Sequence, residues 1–230
     1  MLRTASLEER NYYERTLYPL QDEIFSLVAD DRFYLSGGTC LSRFYYHHRY
    51  SDDIDLFFDA VKHSPESFPQ AAQGFLARLS GSFRVETLID SPTFVRALAY
   101  RGDRPVKMEL ICEPLPRIGR ARKKAGLCID DKKNIAVNKI TTLYGRKTVK
   151  DYIDLFYLLR EYDLADLIAL STKKVVPLAY EELLMLFSDR RLEGEAVMAE
   201  ALSAADFGRF TEELIAKVID HARSAASTAE

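Results

Sequence analysis

The sequence predicts an α/β (α+β) protein, with a short mixed sheet in its N-terminal half and helices in its C-terminal half. Short β-favouring runs separated by glycine and proline turns occur between residues 32 and 112. From residue 131 onward the strand signals stop, and apolar residues recur at helical intervals. Between residues 115 and 130 all periodicity is lost. We therefore expect two domains, at residues 1–115 and 130–230.

The N-terminal half is expected to begin with a helix and to continue as the sheet. Ser6 and Glu9 form a capping-box pattern at the start of a helix that extends to about Asp30. Helices are then predicted at residues 39–47 and 65–79, and strands at residues 32–35, 54–58, 83–88, 93–100 and 106–112.

The C-terminal half is expected to be entirely helical. Asp131 can cap its first helix, and Thr148 with Asp151 resembles a second capping pattern. Helices are predicted at residues 131–144, from 148 onward, and at 163–170, 178–187, 192–202 and 207–222.

The composition is that of an ordinary globular protein. Of the 230 residues, 47% are hydrophobic and 29% charged, which argues against disorder. The three cysteines are scattered, which argues against a disulfide framework or a zinc knuckle. No apolar run approaches the roughly 18 residues that a membrane span needs. We expect a cytoplasmic protein with no membrane partner.

The charge is divided along the chain. The net charge is -3, yet residues 101–150 carry 14 lysines and arginines against five acidic residues. Such a basic block indicates an anionic ligand such as a nucleotide or RNA, or else a solvated loop. Its central members are Arg117, Arg120, Arg122, Lys123 and Lys124.

A glycine turn lies between a predicted strand and a predicted helix. Gly37 and Gly38 allow phosphates to approach the backbone, where the N–H groups of a helix start attract negative charge. This placement suits a triphosphate. A plain tight turn capped by Thr39 is the alternative interpretation.

Two carboxylates follow on one strand. Asp53 and Asp55 are two residues apart and emerge on the same face, where a divalent cation relieves their repulsion. Mg²⁺ fits because it prefers oxygen ligands and binds one or two carboxylates together with substrate phosphates. The alternative is an edge strand whose acids face water. Asp52 is out of phase with the pair and is expected to be exposed.

A third carboxylate is expected for phosphoryl transfer with two metal ions. Glu109 is the candidate, because Val106, Met108 and Leu110 share the opposite face of its strand. An exposed pair of Lys107 with Glu109 explains the same pattern. Glu113 is a weaker substitute.

Two motif regions together resemble a known family. The first is the glycine turn followed by RYSDDIDL at residues 49–56, and the second is NIAVNKITTLYGR at residues 134–146 followed by KDYIDLFYLL at residues 150–159. This combination resembles the AbiEii toxins, which belong to the DNA polymerase β-like nucleotidyltransferase superfamily and form the toxin half of abortive-infection, type IV-like toxin–antitoxin pairs. The resemblance covers residues 30–160 and implies a nucleotidyltransferase fold.

The resemblance also implies roles for individual residues. Asp53 and Asp55 would bind Mg²⁺ or Mn²⁺, and Lys139 would reach the nucleotide phosphates. The third metal ligand that we expect, Glu109, departs from the resemblance, because the wider superfamily usually has Asp there. Asp151 or Asp154 would complete the site. Two alternatives remain, a structural bridge between Lys139 and Asp154 and a helix cap at Asp151. The residues expected around the nucleotide are Ser36, Gly37, Gly38, Thr39, Arg49, Ser51 and Lys139.

The implied reaction is transfer of an NMP from a Mg-NTP to an acceptor hydroxyl. The resemblance points to an RNA acceptor, with the tRNA 3′ end as one candidate, and to a separately encoded antitoxin as partner. An antibiotic adenylyltransferase or a protein-modifying AMPylator is the alternative within enzymes. A non-catalytic nucleotide-binding module is the alternative outside them.

Overall fold

The computed structural model describes residues 2–103, 105–143, 145–174, 179–189 and 191–228. The chain forms two compact units, which we name the sheet unit (Ala5–Asp131) and the helical unit (Met1–Thr4 with Lys132–Glu230). Within the described ranges, no helix has both the length and the apolar character needed to cross a membrane.

The sheet unit is built on a seven-stranded mixed sheet. Its strands are β2 (Phe33–Leu35), β3 (Ile54–Asp59), β4 (Arg84–Asp90), β5 (Phe94–Tyr100), β6 (Pro105–Glu113), β7 (Arg122–Lys124) and β8 (Leu127–Ile129). The strand order is β4-β5-β6-β3-β2-β8-β7. The pairs β3 with β6 and β2 with β8 are parallel, and the other pairs are antiparallel. The predicted mixed sheet is confirmed.

Helices of the sheet unit precede and cover the strands. They are α1 (Leu7–Tyr12), α2 (Tyr18–Ser26), α3 (Gly37–Leu41) and α4 (Phe68–Leu79). Wider π-helical turns continue α1 at Tyr13–Leu17 and α3 at Ser42–Tyr46. The predicted capping box at Ser6 is present. The first helix ends at Ser26 rather than near Asp30, because Asp30 accepts a hydrogen bond from the Arg32 N–H in the turn before β2.

The core of the sheet unit includes the sheet face on which β3 packs against α4. Ile54, Leu56 and Phe58 are fully buried on that face. Phe58 packs edge-on against Phe68 of α4, with ring centroids 5.7 Å apart. Alternation along β3 therefore leaves Asp55 and Phe57 on the other face, where both are half-buried.

The helical unit contains α5 (Lys132–Thr142), α6 (Val149–Leu158), α7 (Leu164–Ser171), α8 (Tyr180–Ser188) and α9 (Ala204–Thr228). It also contains a two-stranded parallel sheet of β1 (Leu2–Thr4) and β9 (Ala196–Met198). Ala196 and Met198 pack with Val149 and Ile153 of α6 in its core. Tyr144 and Pro177–Leu178, at the ends of two predicted helices, lie outside the described residues.

Two predicted elements are wrong. The helix predicted at residues 192–202 is replaced by β9, because Gly194 has a φ of +76° and residues 2–4 supply a pairing partner. The irregular segment predicted at residues 115–130 contains the hairpin β7–β8, which extends the sheet beside β2. Its turn at Ala125 and Gly126 has positive φ at both residues, as tight hairpin turns require.

Candidate active site

Asp55 is the second residue of β3 and lies on its half-buried face, and Asp53 directly precedes the strand. The residue between them, Ile54, is fully buried on the opposite face, so the two carboxylates project to the same side of the sheet. Both aspartates are half-buried and open to solvent. The start of β3 thus presents a pair of acids on one face of the sheet.

The glycine turn adjoins the second of these carboxylates. The Ser36 N–H donates to the Asp55 carbonyl at 3.0 Å, which ties the turn to β3. Gly37 has a φ of +70°, and a Cβ added there would lie 2.6 Å from Oδ2 of Asp55. Only glycine therefore lets the backbone approach this carboxylate so closely. Gly37 and Gly38 are themselves half-exposed, and they open α3.

The polar side chains around the turn are buried and hold the backbone. The Thr39 hydroxyl lies 2.8 Å from the Ser51 hydroxyl and also contacts the Asp53 carbonyl. Arg49 is 3% exposed and donates to the Tyr50 carbonyl. Ser36 is 1% exposed and donates to Asp130 at 2.6 Å. At the turn, the exposed backbone of the two glycines is the part that can meet a ligand.

Two structural residues that sequence reasoning missed fix the chain before Asp53. The buried Gln21 amide donates to the carbonyls of Ser51 and Asp52, at 3.1 and 3.0 Å. The Tyr13 hydroxyl donates to the Asp52 carboxylate at 2.7 Å. Burial, and then the Asp52 charge, raise the pKa of Tyr13. Asp52 is thus half-buried and engaged, so its predicted exposure is wrong.

Asp130 is a further residue that sequence reasoning missed. It is fully buried at the end of β8, where it accepts from Ser36 and from the Asp131 N–H at 2.9 Å. Because β8 was not predicted, no pattern placed this carboxylate beside the glycine turn. An acidic residue directly after the apolar run Leu127–Ile129 is the one signal that pointed to it.

Glu109 occupies the neighbouring strand at the height of Asp55. The two residues are partners in the parallel register of β3 and β6. The Glu109 carboxylate accepts from Arg96, its cross-strand neighbour on β5, at 3.0 Å. Asp53, Asp55, Glu109 and Arg96 therefore share one face of the sheet.

Lys107 places a positive charge among these acids. Its ammonium lies 2.9 Å from Oδ2 of Asp53 and 3.7 Å from Oε1 of Glu109. Burial disfavours the charged form of Lys107, but the hydrogen bond to Asp53 and the charges of Asp53, Glu109 and Asp55 raise its pKa. The face therefore attracts and holds a cation.

The donor set fits a divalent metal ion at Asp53 and Asp55. Both supply carboxylate oxygens, the ligands that Mg²⁺ and Mn²⁺ prefer, and the Lys107 ammonium stands in for a cation there. Among the described residues, no three acidic, histidine or cysteine side chains are arranged to hold a metal ion together. The assignment of Glu109 as a third ligand stays a prediction.

The helical unit carries a second charged cluster. The Lys139 ammonium lies 2.7 Å from Asp151 and 2.6 Å from Asp154, and all three side chains are at most 7% exposed. Asp151 also accepts from Thr148 at 2.6 Å and from Arg146 at 3.0 Å. Burial favours the neutral acid, but Lys139, Thr148 and Arg146 hold the pKa of Asp151 below its usual range.

The structure contains both contacts that the structural alternatives expect, the Lys139–Asp154 bridge and the helix cap at Asp151. Lys139 bridges to Asp154, as the structural alternative expects, and also to Asp151. Thr148 is the N-cap of α6, and its hydroxyl accepts from the Asp151 N–H. Asp151 is therefore both a member of the cap and a buried partner of Lys139.

The basic segment is divided between a buried arginine and an exposed strand. Arg117 pairs with Asp59 at 3.2 Å and lies over the Tyr34 ring, so it is a structural residue. Arg122, Lys123 and Lys124 form β7, the edge strand of the sheet, and all three are exposed. Lys123 pairs with Asp31, whereas Lys124 lies over the Phe44 ring.

Solved structures share this fold. JHP933 from Helicobacter pylori superposes with a TM-score of 0.59 at 18% identity, covering 99% of this chain and 100% of that one. MenT4, a nucleotidyltransferase toxin from Mycobacterium tuberculosis H37Rv, superposes with a TM-score of 0.61 at 14% identity, covering 89% and 83%.

Sequence comparisons identify the family. The uncharacterized protein aq_aa25 of Aquifex aeolicus (strain VF5) is 29% identical in an alignment of length 185 that covers 75% of this chain and 82% of that protein. The family model described as "Nucleotidyl transferase AbiEii toxin, Type IV TA system" matches residues 20–228, which confirms the resemblance drawn from the motifs. The chain therefore belongs to the AbiEii family of nucleotidyl transferase toxins.

Proposed function

We propose that this toxin transfers an NMP from a metal-bound NTP to a hydroxyl of RNA. The observation that carries the proposal is the contact of the Gly37 turn with the Asp55 carboxylate. A phosphate chain bound at a helix start and a metal ion bound by acids must lie side by side for nucleotidyl transfer. In the sheet unit, the glycine turn at the start of α3 and the Asp55 carboxylate are in contact.

Each part of the site has a task in this reaction. The half-exposed backbone of Gly37 and Gly38 binds the phosphates, because it has no side chain in the way. Asp53 and Asp55 hold the metal, which when bound stabilises the charge that develops on the transferring phosphoryl group. The buried contacts of Thr39 and Ser51 keep the turn and the strand in place.

The acceptor is proposed to be RNA, with the tRNA 3′ end as one candidate. The feature that supports this is β7, a basic strand at the edge of the sheet that carries the site. The Lys124 ammonium lies over the ring of Phe44, which belongs to the π-helical turn that continues α3. The first residue of α3 is Gly37. Membership of a type IV toxin–antitoxin family also implies an antitoxin as protein partner.

The proposal is tested by supplying each α-labelled NTP with Mg²⁺ or Mn²⁺ and total RNA. We expect label in RNA, dependence on the metal, and a preference among the four bases. Label in a protein band or a small molecule would instead identify an AMPylator or an adenylyltransferase. No incorporation with any NTP would favour a non-catalytic nucleotide-binding module.

Gly37→Ala is expected to abolish most of the transfer activity. The added Cβ would collide with Asp55, and the positive φ costs about 1–2 kcal/mol for a residue with a side chain. Gly126→Ala is the matched control, since Gly126 has a φ of +84° and no atom within 4 Å of an added Cβ. The expected result is a loss of melting temperature in both variants, larger at residue 37, and a loss of activity only at residue 37. Full activity of Gly37→Ala would contradict the role of the turn.

Lys124→Glu is expected to raise the KM for RNA more than Lys123→Glu. The two lysines are adjacent and alternate between the faces of β7, so the substitutions change the same charge on opposite sides. Lys123 is already paired with the carboxylate of Asp31, whereas Lys124 has no acid in its described contacts and donates to the Phe44 carbonyl at 3.3 Å. The difference should shrink at high salt, because phosphate contacts are screened. Equal KM values for both variants would exclude this surface.

A further inference from the structure

Lys107 contacts the carboxylate face of the sheet and is also partly exposed to solvent. The transfer reaction alone requires neither property. Lys107 lies on β6 beside Glu109, and its ammonium is within hydrogen-bond distance of Asp53. Its side chain is 39% exposed, so it is not locked in the core. A partly exposed cation therefore lies against an acid that the proposed function assigns to the metal.

The neighbouring charges explain why the ammonium stays there. Asp53, Asp55 and Glu109 lie on one face, and Arg96 pairs with Glu109. Like charges this close repel, and a counter-ion removes the repulsion. Lys107 supplies that counter-ion at the Asp53 carboxylate, while the Asp53 carbonyl accepts from the Thr39 hydroxyl.

A metal ion bound to Asp53 would compete with the ammonium for this carboxylate. A ligand oxygen of Asp53 already accepts from Lys107 at 2.9 Å. A divalent ion bound to the same carboxylate would lie close to the ammonium and repel it, with little screening in a half-buried site.

We propose that Lys107 is an internal counter-ion which neutralises the carboxylate pair in the metal-free protein and which the metal ion must displace. The inference rests on the proposed function, because it takes Asp53 and Asp55 as metal ligands. Lys107 then sets the affinity for the metal: it stabilises the unloaded site and weakens binding.

Lys107→Met tests this, because methionine keeps an unbranched apolar stem and removes the charge. Mn²⁺ binding is measured directly by electron paramagnetic resonance and calorimetry, without nucleotide. We expect Mn²⁺ to bind about tenfold more tightly to the variant. We also expect a lower melting temperature without metal and a larger rise on adding Mn²⁺.

Lys62→Met is the matched control. Lys62 also pairs with an aspartate of β3, at 3.3 Å from Asp59, but far along the strand from Asp53. Its removal should leave the Mn²⁺ affinity unchanged.

The possible outcomes separate the inference from the proposed function. Unchanged or weaker Mn²⁺ binding by Lys107→Met, with normal binding by the parent protein, would overturn the inference alone. Weaker binding would mean that Lys107 holds the carboxylates in place. Absence of Mn²⁺ binding in the parent protein and in the variant would overturn the metal role of Asp53 and Asp55, and this inference with it.

Discussion

Asp53→Asn and Asp55→Asn are each expected to lower the rate of nucleotidyl transfer by about 100-fold or more. Asparagine keeps the size and one oxygen but loses the charge that holds the metal. Metal ions supply several kcal/mol of transition-state stabilisation, and about 1.4 kcal/mol corresponds to a factor of ten in rate. The measurement is the initial rate of labelled NMP incorporation at saturating NTP.

Asp52, the residue before Asp53, provides a matched control for these two substitutions. Asp52→Asn makes the same chemical change, but this side chain points to Tyr13 rather than to the carboxylate face. We expect its transfer rate to stay within a few-fold of the parent rate. The melting temperature of both variants should stay close to that of the parent protein, because the lost repulsion between the acids and the lost attraction to Lys107 oppose each other. Transfer that survives in both Asp53→Asn and Asp55→Asn would end the case for this active site.

Lys139→Met is expected to destabilise the helical unit by about 3–5 kcal/mol, because it removes the buried ammonium that two buried carboxylates share. Lys132→Met is the matched control on the same helix. Lys132 pairs with Glu161 near the surface, where such a pair contributes about 0–1 kcal/mol. Urea unfolding followed by circular dichroism measures both. Equal losses in the two variants would mean that the buried cluster contributes no more than a surface pair.

The pH dependence of unfolding gives a second test of the same cluster. The pKa of Asp151 is depressed in the folded protein, so its stabilisation is present above the unfolded value of about 3.9 and is lost as the pH falls through the folded value. In Lys139→Met the main charge that lowers this pKa is gone. Its stability should therefore depend less on pH in the acid range than that of the parent protein.

Local patterns along the chain predicted much of the fold and the candidate site. Alternation around Ile54 placed Asp53 and Asp55 on one face, because side chains in a strand alternate with a period of two. The cap residues Ser6 and Thr148 marked helix starts, since their hydroxyls satisfy N–H groups within three residues. The two motif regions identified the family, which the family model then matched over residues 20–228.

Contacts between segments that are far apart in the sequence decided the remaining strands and the side-chain contacts around the site. β9 forms a strand because Leu2–Thr4, almost 200 residues earlier, pairs with it, and no local signal contains that partner. The hairpin β7–β8 is stabilised by the parallel pairing of Leu35 with Ile129, which also brings the buried Asp130 to Ser36. Gln21 holds the backbone before Asp53 across 30 residues of chain.

The sequence by itself determined which residues carry charge, where the strands alternate and which acids share a face. Only the tertiary structure decided what each charge contacts: Lys107 on Asp53, Arg96 on Glu109, and Lys139 between two aspartates. The physical reason is the distance along the chain over which each interaction acts. Periodicity and capping act over a few residues, whereas the partner of a buried or half-buried charge is chosen by strand register and helix packing across the whole unit.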